Sequence, residues 1–343
     1  EGLERINERA FIDCTSLKSI SIPDTVTYMS NEVFKNCIAL ETVHLSAEIN
    51  RIGNEMFYNC LNLKTITIPN KVNSIDAWAF QNCESLTNIT IPNSVTYMSD
   101  GVFKNCTALE TVHLSTEINR IGNEMFYNCV SLNTITIPNK VNNIGRSAFQ
   151  NCEKLKNITI PNSVTYMSDR VFQGCTSLTG LTVDDGNPKY GSADNMIYTK
   201  DTNTLVCVAP GLEGSVIVPA NIQSIDHFAF SNCTKLESVT ISNGVSSIRK
   251  TAFENCKRLT RITIPKTVSS IQESAIYNSP NAEIVLAEGI SSTTINIERG
   301  AFGFGDREET LCKKIKIKDD ANYEAIKNKV VASTYPENRI EKY

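Results

Sequence analysis

The stretch Val95–Cys129, VTYMSDGVFKNCTALETVHLSTEINRIGNEMFYNC, contains one short motif twice. Phe-x-x-Cys ends at Cys106 and again at Cys129, so the motif recurs after 129 − 106 = 23 positions. The step continues on both sides, and a Phe stands three positions before each of these cysteines: Cys14, Cys37, Cys60, Cys83, Cys106, Cys129, Cys152 and Cys175. A fixed step over this many copies indicates a repeat architecture.

A longer period lies on top of this step. Residues 22–90 (the first block) and 91–159 (the second block) have the same length, 91 − 22 = 69 positions, which is three times 23. They differ at 15 positions, so 69 − 15 = 54 positions are identical. We interpret this as duplication of a three-repeat block, with a third, partial copy that begins at Ile160.

Within one repeat, the apolar spacing first indicates a strand and then a turn. In LKTITIP (Leu63–Pro69) the Ile-x-Ile alternation predicts a short, half-buried strand with its threonines outward. Pro69 ends the strand because it cannot donate to a ladder. KVNSIDAWAFQNC (Lys71–Cys83) then adds Val72 and Ile75, followed by a brief turn or helical segment.

One such repeat cannot be stable alone. Its few apolar side chains stabilise it by less than the conformational entropy that ordering the repeat costs. Stacking pairs each strand with its neighbours and closes the apolar edges, so it can reverse that balance. We therefore predict an α/β repeat solenoid.

The repeat resembles a known family. LTNITIPNSVTYMSDGVFKNC (Leu86–Cys106) and LESVTISNGVSSIRKTAFENC (Leu236–Cys256) are similar to the leucine-rich repeats of BspA-like proteins. The resemblance implies a curved stack with a parallel sheet on the concave face and short turns or helical segments on the convex face. It also implies a bacterial, sometimes protist, secreted or surface protein associated with adhesion. The departures are core variations, namely Met29, Met98 and Met167 for Ile and Val33, Val102 and Val171 for Ala.

We expect one solenoid over residues 1–343, with regular repeats in 1–180 and further repeats in 216–310. Residues 181–215 break the period, and Gly186–Val208 is expected to form a turn and a hairpin of two strands around Lys200–Asn203. Residues 311–343 are expected to form the last strand and an amphipathic helix, at Ala321–Ser333, that caps the apolar end.

Composition excludes some partners. The net charge is 33 − 37 = −4, so we expect no nucleic-acid partner. No apolar run approaches the length of about 18 residues that a membrane helix needs, so we expect no membrane insertion in this segment. The chain begins with what reads as the second half of a repeat, and we expect it to start inside a longer protein.

The cysteine column is expected to consist of buried free thiols. Stacking places successive cysteines about 4.8 Å apart with parallel side chains, which is wider than a disulfide prefers. A disulfide or a metal site is the alternative. His44 and His113 lie three repeats apart, about 15 Å by the strand spacing, which is too far for a shared metal. We therefore expect no catalytic, metal-binding or cofactor-binding residues and no cofactor.

Two rows of side chains are the candidate ligand contacts. One row precedes the second apolar position of each repeat and carries Tyr28, Arg51, Ser74, Tyr97, Arg120, Asn143 and Tyr166. Tyr and Arg are enriched at interface hot spots, although block duplication alone would repeat any accidental residue. The other row is the polar outer face of the first strands, where His44 and His113 lie among threonines and asparagines.

We therefore expect a non-enzymatic secreted or cell-surface binding or adhesion module. Its partner would be a protein or glycan on a host or bacterial surface, bound through repeated weak contacts. The alternative is a structural stalk that presents another domain outside this chain. A hydrolase is a further alternative, because Asp184, Asp185, Asp194 and Asp201 supply carboxylates in and beside the variant repeat. These lie scattered in expected turns rather than on a rigid framework.

Overall fold

A computed structural model describes residues 2–303, 310–318 and 320–343. The chain forms two compact units. Unit 1 extends to Cys175 and includes Asp184–Asn187, and unit 2 contains Thr176–Val183 and Pro188–Tyr343. The expectation of one solenoid over the whole chain stays a prediction.

Unit 1 is a stack of short strands, two in most repeats. Its strands are β1 (Arg5–Ile6), β2 (Ser19–Ser21), β3 (Tyr28–Met29), β4 (Thr42–His44), β5 (Arg51–Ile52), β6 (Thr65–Ile66), β7 (Ser74–Ile75), β8 (Asn88–Thr90), β9 (Tyr97–Met98), β10 (Thr111–His113), β11 (Arg120–Ile121), β12 (Asn143–Ile144), β13 (Asn157–Ile160) and β14 (Tyr166–Met167).

The strands pair in parallel with the strand one repeat away. First strands pair in the sheets β2-β4-β6 and β8-β10, and second strands pair in β1-β3, β5-β7-β9 and β11-β12-β14. The register follows the period, since Thr42 lies opposite Thr65 and Arg51 lies opposite Ser74. Each side chain is therefore stacked on its counterpart in the next repeat.

Stacked aromatic rings form the core of unit 1. The phenylalanines from Phe11 to Phe172 make a continuous column with ring centroids 5.2–5.6 Å apart and planes within 15° of parallel. Leu, Ile, Val and Met side chains from both strand rows are buried around them. The apolar edges of neighbouring repeats thus cover one another, as stacking requires.

The segment that carries Phe and Cys was expected to form turns or helical segments, and in the described part of unit 1 it forms turns and no helix. Residues in the left-handed backbone conformation allow the chain to turn this often. The Asn before most of these cysteines has a positive φ, for example 61° at Asn82. An Asn tolerates this conformation better than most residues. The α/β description therefore overstates the helix content, and unit 1 is a parallel-strand β-solenoid.

The asparagine amides also join the repeats. Asn59 donates from Nδ2 to Oδ1 of Asn36 at 2.9 Å, Asn82 donates to Asn59 at 2.5 Å, and Asn105 donates to Asn82 at 2.8 Å. Asp13 accepts from Asn36 at 2.8 Å, and Gly174 takes the ladder position in a later repeat with φ 77°. The ladder runs along the turns of unit 1.

Unit 2 continues the two-strand repeat around a variant first part. Its strands are β15 (Gly180–Val183), β16 (Tyr190–Ala193), β17 (Met196–Thr199), β18 (Thr204–Val208), β19 (Gly214–Ile217), β20 (Ser224–Ile225), β21 (Leu236–Thr240), β22 (Ser247–Ile248), β23 (Arg261–Ile264), β24 (Ser270–Ile271), β25 (Glu283–Leu286), β26 (Asn296–Ile297), β27 (Lys314–Ile317) and β28 (Ile340–Lys342). Two sheets run β19-β21-β23-β25-β27-β28 and β16-β17-β18-β20-β22-β24-β26.

The variant repeat contains one strand more than the hairpin expected from its sequence. β17 and β18 pair antiparallel around Lys200–Asn203. β16 pairs antiparallel with β17 through a tight turn at Asp194 and Asn195, both with positive φ. β18 then pairs in parallel with β20, which joins the insertion to the regular stack.

A helix and a final strand lie at the C-terminal end of unit 2. α1 spans Tyr323–Ala332 and buries Ile326 and Val330, and a 3-10 turn follows at Glu337–Arg339. β28 pairs in parallel with β27, and sequence analysis did not predict it. The buried Tyr335 donates its hydroxyl to the Cys312 carbonyl at 3.1 Å, which ties the segment after α1 to the last repeat.

Candidate functional site

The second-strand row of unit 1 is a regular line of side chains. Parallel pairing places Arg51, Ser74 and Tyr97 side by side, and it does the same for Arg120, Asn143 and Tyr166. The hydrophobic residue after each row member is buried, except Met167, which is half-buried, so the row members face outward. The row predicted from the sequence therefore lies on the surface of unit 1 and includes two groups of three strand-paired residues, while its ligand contacts stay a prediction.

The three tyrosines of the row differ in exposure. Tyr97 is 43% exposed and Tyr166 is 54% exposed. Tyr28 is half-buried because the Arg5 guanidinium lies 4.2 Å from its ring centroid. Two of the three rings thus present a free face, and the third already holds a cation.

The two arginines of the row each pair with a carboxylate, one in the following repeat and one in the preceding repeat. Arg51 Nη2 lies 2.7 Å from Asp76 Oδ2, in the following repeat, and donates to Asn31 Oδ1 at 2.6 Å. Arg120 Nη2 instead donates to Asp100 Oδ1, in the preceding repeat. The residue that corresponds to Asp76 in the second block is Gly145. The charge of each arginine is therefore compensated, by a different neighbour.

The first-strand face is the second candidate. His44 and His113 are exposed, and Thr90 lies opposite His113 in the strand register. Three repeats separate the two histidines, as their spacing requires. That this face is concave stays a prediction.

Depressions lie on both of these surfaces. One, with a volume of about 630 Å³, lies on the first-strand side beside His44, Glu48 and Lys71. The other, of about 440 Å³, lies on the second-strand row between Arg120 and Tyr166. Sequence reasoning named Arg120 and Tyr166 but missed Gly145, which also lines the second depression. Comparison of the two blocks contains the signal, since Gly145 stands where the first block has Asp76.

The cysteine column consists of free thiols among the described residues. Each buried thiol in the regular array donates to a phenylalanine carbonyl of the preceding repeat, for example Cys106 Sγ to Phe80 O at 3.1 Å. Burial raises the pKa of Cys37 to about 11 and that of Cys106 to about 12. A buried, protonated thiol is a poor nucleophile, so this column acts as a structural element.

The carboxylates of the variant repeat do not form one cluster. Asp201 is exposed and pairs with Lys189 at 2.5 Å, whereas Asp194 occupies the turn between β16 and β17. The Lys189 side chain lowers the pKa of Asp201 through this hydrogen bond. Over residues 2–303, 310–318 and 320–343, no group of three His, Cys, Asp or Glu residues is placed to hold a metal ion.

Among the described residues, no helix has the length and apolar character that crossing a bilayer requires.

Comparison with known proteins identifies the repeat. The family model described as "BspA type Leucine rich repeat region" matches residues 1–110, 75–193 and 213–330 in six copies. No curated protein matches the chain.

Several solved structures are similar to this chain. A leucine rich cell surface protein from Faecalibacterium prausnitzii is 26% identical over 85% of this chain and 86% of that one, with a TM-score of 0.54. A leucine-rich repeat protein from Bacteroides ovatus is 21% identical over 99% and 88%, with a TM-score of 0.62. The pneumococcal vaccine antigen PcpA is 17% identical over 99% and 85%, with a TM-score of 0.55. The last two similarities concern the fold alone.

Proposed function

Because the chain belongs to the BspA-type leucine-rich repeat family, we propose that it is a non-enzymatic module that binds a protein or glycan surface through many weak contacts. The observation that carries this proposal is the second-strand row, in which Tyr97 and Tyr166 expose ring faces and Arg51 and Arg120 alternate with them. Tyr and Arg provide large contact areas and directed hydrogen bonds, which is why they concentrate binding energy at interfaces.

Repetition supplies the binding mechanism. Tyr28, Tyr97 and Tyr166 recur once in every block, which is three stacked repeats. At about 4.8 Å per strand the tyrosines are spaced about 15 Å apart. A partner with its own repeating groups can engage several of these positions at once, and simultaneous engagement raises overall affinity far above that of one contact.

A location outside the cell or on its surface is part of this proposal. The 26% identical protein from Faecalibacterium prausnitzii is described as a cell surface protein. A partner on a host or bacterial surface is consistent with that location. The net charge of −4 does not favour a polyanion such as nucleic acid.

His44 and His113 are proposed as additional ligand contacts on the first-strand face. Both side chains are exposed, and His44 borders the depression of about 630 Å³. This face is polar, with threonine as its commonest residue, so it offers hydrogen bonds rather than an apolar anchor. We therefore assign the main binding energy to the tyrosines.

The test is a binding screen of the intact chain against host proteins, bacterial surfaces and a glycan array. A variant with Tyr28→Ala, Tyr97→Ala and Tyr166→Ala is expected to lose at least about tenfold in apparent affinity, because lost contacts multiply under avidity. The matched control is Thr27→Ala, Thr96→Ala and Thr165→Ala, which changes three exposed residues with the same block spacing. This control is expected to bind like the wild type.

Two outcomes contradict the proposal. Equal retention of both triple variants would show that the tyrosine row does not carry the binding. Absence of retention on every surface would favour the structural stalk, whose role is to present another domain.

A further inference from the structure

The depression of about 440 Å³ lies on the following-repeat side of Arg120. Arg120 forms one wall, Tyr166 lies two repeats further along the row, and Asn143 lies between them in strand register. Two strand spacings separate the backbones of Arg120 and Tyr166 by about 10 Å. The volume falls within the range of about 300–1,000 Å³ that small-molecule sites occupy.

Internal duplication provides a comparison within the same molecule. Eight residues line the depression, and six of them are identical to their counterparts one block earlier. The two differences are Asn143 in place of Ser74 and Gly145 in place of Asp76. In the first block the Asp76 carboxylate pairs with Arg51 on that side. Gly145 has no side chain, and Asn123 packs against it, since a Cβ at Gly145 would lie 2.6 Å from the Asn123 backbone nitrogen. No carboxylate that the structure describes therefore pairs with Arg120 from this side.

In the second block, the carboxylate that compensates the charge of Arg120 comes from the preceding repeat. The Asp100 carboxylate accepts from Arg120, and it also accepts from the backbone N–H of Asn123 at 3.0 Å and from Asn123 Nδ2 at 2.9 Å. Asp100 stands where the first block has Asn31. The carboxylate that pairs with the arginine therefore belongs to the following repeat in the first block and to the preceding repeat in the second block. The guanidinium charge is compensated, while some of its five N–H donors remain for a ligand.

The other lining groups are neutral and polar. The side-chain amides of Asn119, Asn142 and Asn143 line the depression and make no hydrogen bond to any residue that the structure describes. An amide both donates and accepts hydrogen bonds, so these side chains match a ligand that does the same. The Tyr166 ring, 54% exposed, adds an apolar face at the far end.

We propose that this depression binds one ring of a neutral sugar, a proposal that rests on the surface-binding function above and names its ligand. A sugar ring carries hydroxyls that donate and accept, which suit Asn143 and the free Arg120 donors, and a face of C–H groups that packs on Tyr166. An anion is disfavoured because Asp100 already compensates Arg120. The site is open and shallow, so the dissociation constant for a monosaccharide is expected to be about 1–10 mM.

The experiment measures binding of glucose, galactose, mannose and N-acetylglucosamine to the full chain by saturation-transfer NMR titration. Asn143→Ser, which restores the first-block residue, and Tyr166→Ala are each expected to weaken binding at least about fivefold. Tyr166→Phe keeps the ring and is expected to bind within about twofold of the wild type. Ser74→Asn and Trp78→Ala change, respectively, the matched position and an exposed aromatic residue elsewhere in unit 1, and both are expected to have no effect.

A grafting variant tests the physical cause. Asn31→Asp, Ser74→Asn and Asp76→Gly together convert the surroundings of Arg51 to those of Arg120. The number of sugar sites per chain is expected to rise from one to two. A triple variant that still binds one equivalent contradicts the role assigned to the missing carboxylate at Gly145.

Three results overturn the proposal. The first is no saturation transfer from any neutral sugar at concentrations up to about 100 mM. The second is sugar binding that Asn143→Ser and Tyr166→Ala leave unchanged. The third is binding of peptides, but not of sugars, that depends on these two residues. If the wild type is still retained on surfaces in the screen above, the sugar proposal alone fails; if it is not retained anywhere, the proposed function fails as well.

Discussion

The carbonyl oxygen of each stacked phenylalanine accepts two hydrogen bonds in the middle of the array. Phe80 O, for example, accepts from the backbone N–H of Cys83 in its own repeat and from the Cys106 thiol of the next. Ser279 shows that the thiol is replaceable, because its hydroxyl donates to Phe253 O at 2.9 Å. The cysteine column therefore satisfies buried carbonyls, which would be costly to leave with fewer partners.

The buried thiols predict a loss of stability at alkaline pH. Burial raises the pKa of Cys106 to about 12, whereas an unfolded thiol titrates near 8.5. Above about pH 8.5 the unfolded state binds fewer protons than the native state, so the free energy of unfolding falls as pH rises toward 12. At pH 10 the loss is about 2 kcal/mol for the Cys106 thiol.

Urea unfolding at pH 7.5 and pH 10 measures this effect. Cys106→Ser removes this thiol, so the difference between the two pH values should shrink by about 2 kcal/mol. An equal loss in the wild type and the variant would show that other groups cause the alkaline destabilisation.

The asparagine ladder leads to a second prediction at the residue level. Asn82 has φ 61° and joins Asn59 and Asn105 through its side chain. Asn82→Gly loses the ladder bonds but tolerates the left-handed backbone, as Gly174 does in its own repeat. Asn82→Ala also strains the backbone, so it should be about 1–2 kcal/mol less stable than the glycine variant. Urea unfolding of both variants measures the difference in their free energies of unfolding. An alanine variant as stable as the glycine variant would contradict the backbone argument.

At the level of elements, the helix α1 covers apolar residues with one face only. Val330 is buried and its neighbour Val331 is exposed. Val330→Ala should destabilise unit 2 by about 1–3 kcal/mol through a cavity, while Val331→Ala should change stability by less than about 0.5 kcal/mol. Thermal unfolding of the two variants is the measurement. Equal effects would mean that α1 does not pack on the last repeat as described.

The periodic elements were predictable and the irregular ones were not. The 23-residue step located the short strands and the Phe and Cys columns, because each repeat has the same environment. β16 was missed since Tyr190–Ala193 lacks clear alternation, and its pairing depends on a tight turn at Asp194 and Asn195. β28 was missed because its register is set by β27 rather than by its own short sequence.

The candidate site was likewise predictable only in its periodic part. The outward row of Tyr and Arg was visible in the sequence because its members share one position in the repeat. The partners of the arginines were not visible, since Asp76 belongs to the repeat after Arg51 and Asp100 to the repeat before Arg120. Residues this far apart in the chain come into contact only when the repeats stack. The ladder asparagines also bond to one another between repeats, so the sequence of a single repeat does not show their partners.

At the scale of the molecule, each unit is held together by contacts between neighbouring repeats. The ring column, the amide ladder and the thiol bonds all join residues 23 or 26 positions apart. Stability in such an array is a sum of local and nearest-neighbour terms, so a defect should remain local.

Phe103→Ala tests this locality. The change should cost about 3–5 kcal/mol and lower amide hydrogen-exchange protection most in the repeats of Phe80, Phe103 and Phe126. Protection should recover toward Phe11, where no ring in contact has been lost. Mass-spectrometric exchange resolves these segments. A uniform loss of protection throughout unit 1 would instead indicate that its repeats unfold as a single cooperative body.

The equivalence of successive blocks also bears on inheritance. Ile91–Asp100 and Ile160–Asp169 are identical, and each follows a threonine that belongs to a first strand. Unequal crossing-over between the corresponding gene segments would join Thr90 to Ile160 and delete one whole block without altering any stacking distance. The reciprocal recombinant would gain a block in register. Descendant alleles can therefore vary in length by whole blocks, while every remaining repeat keeps a neighbour on which it can stack.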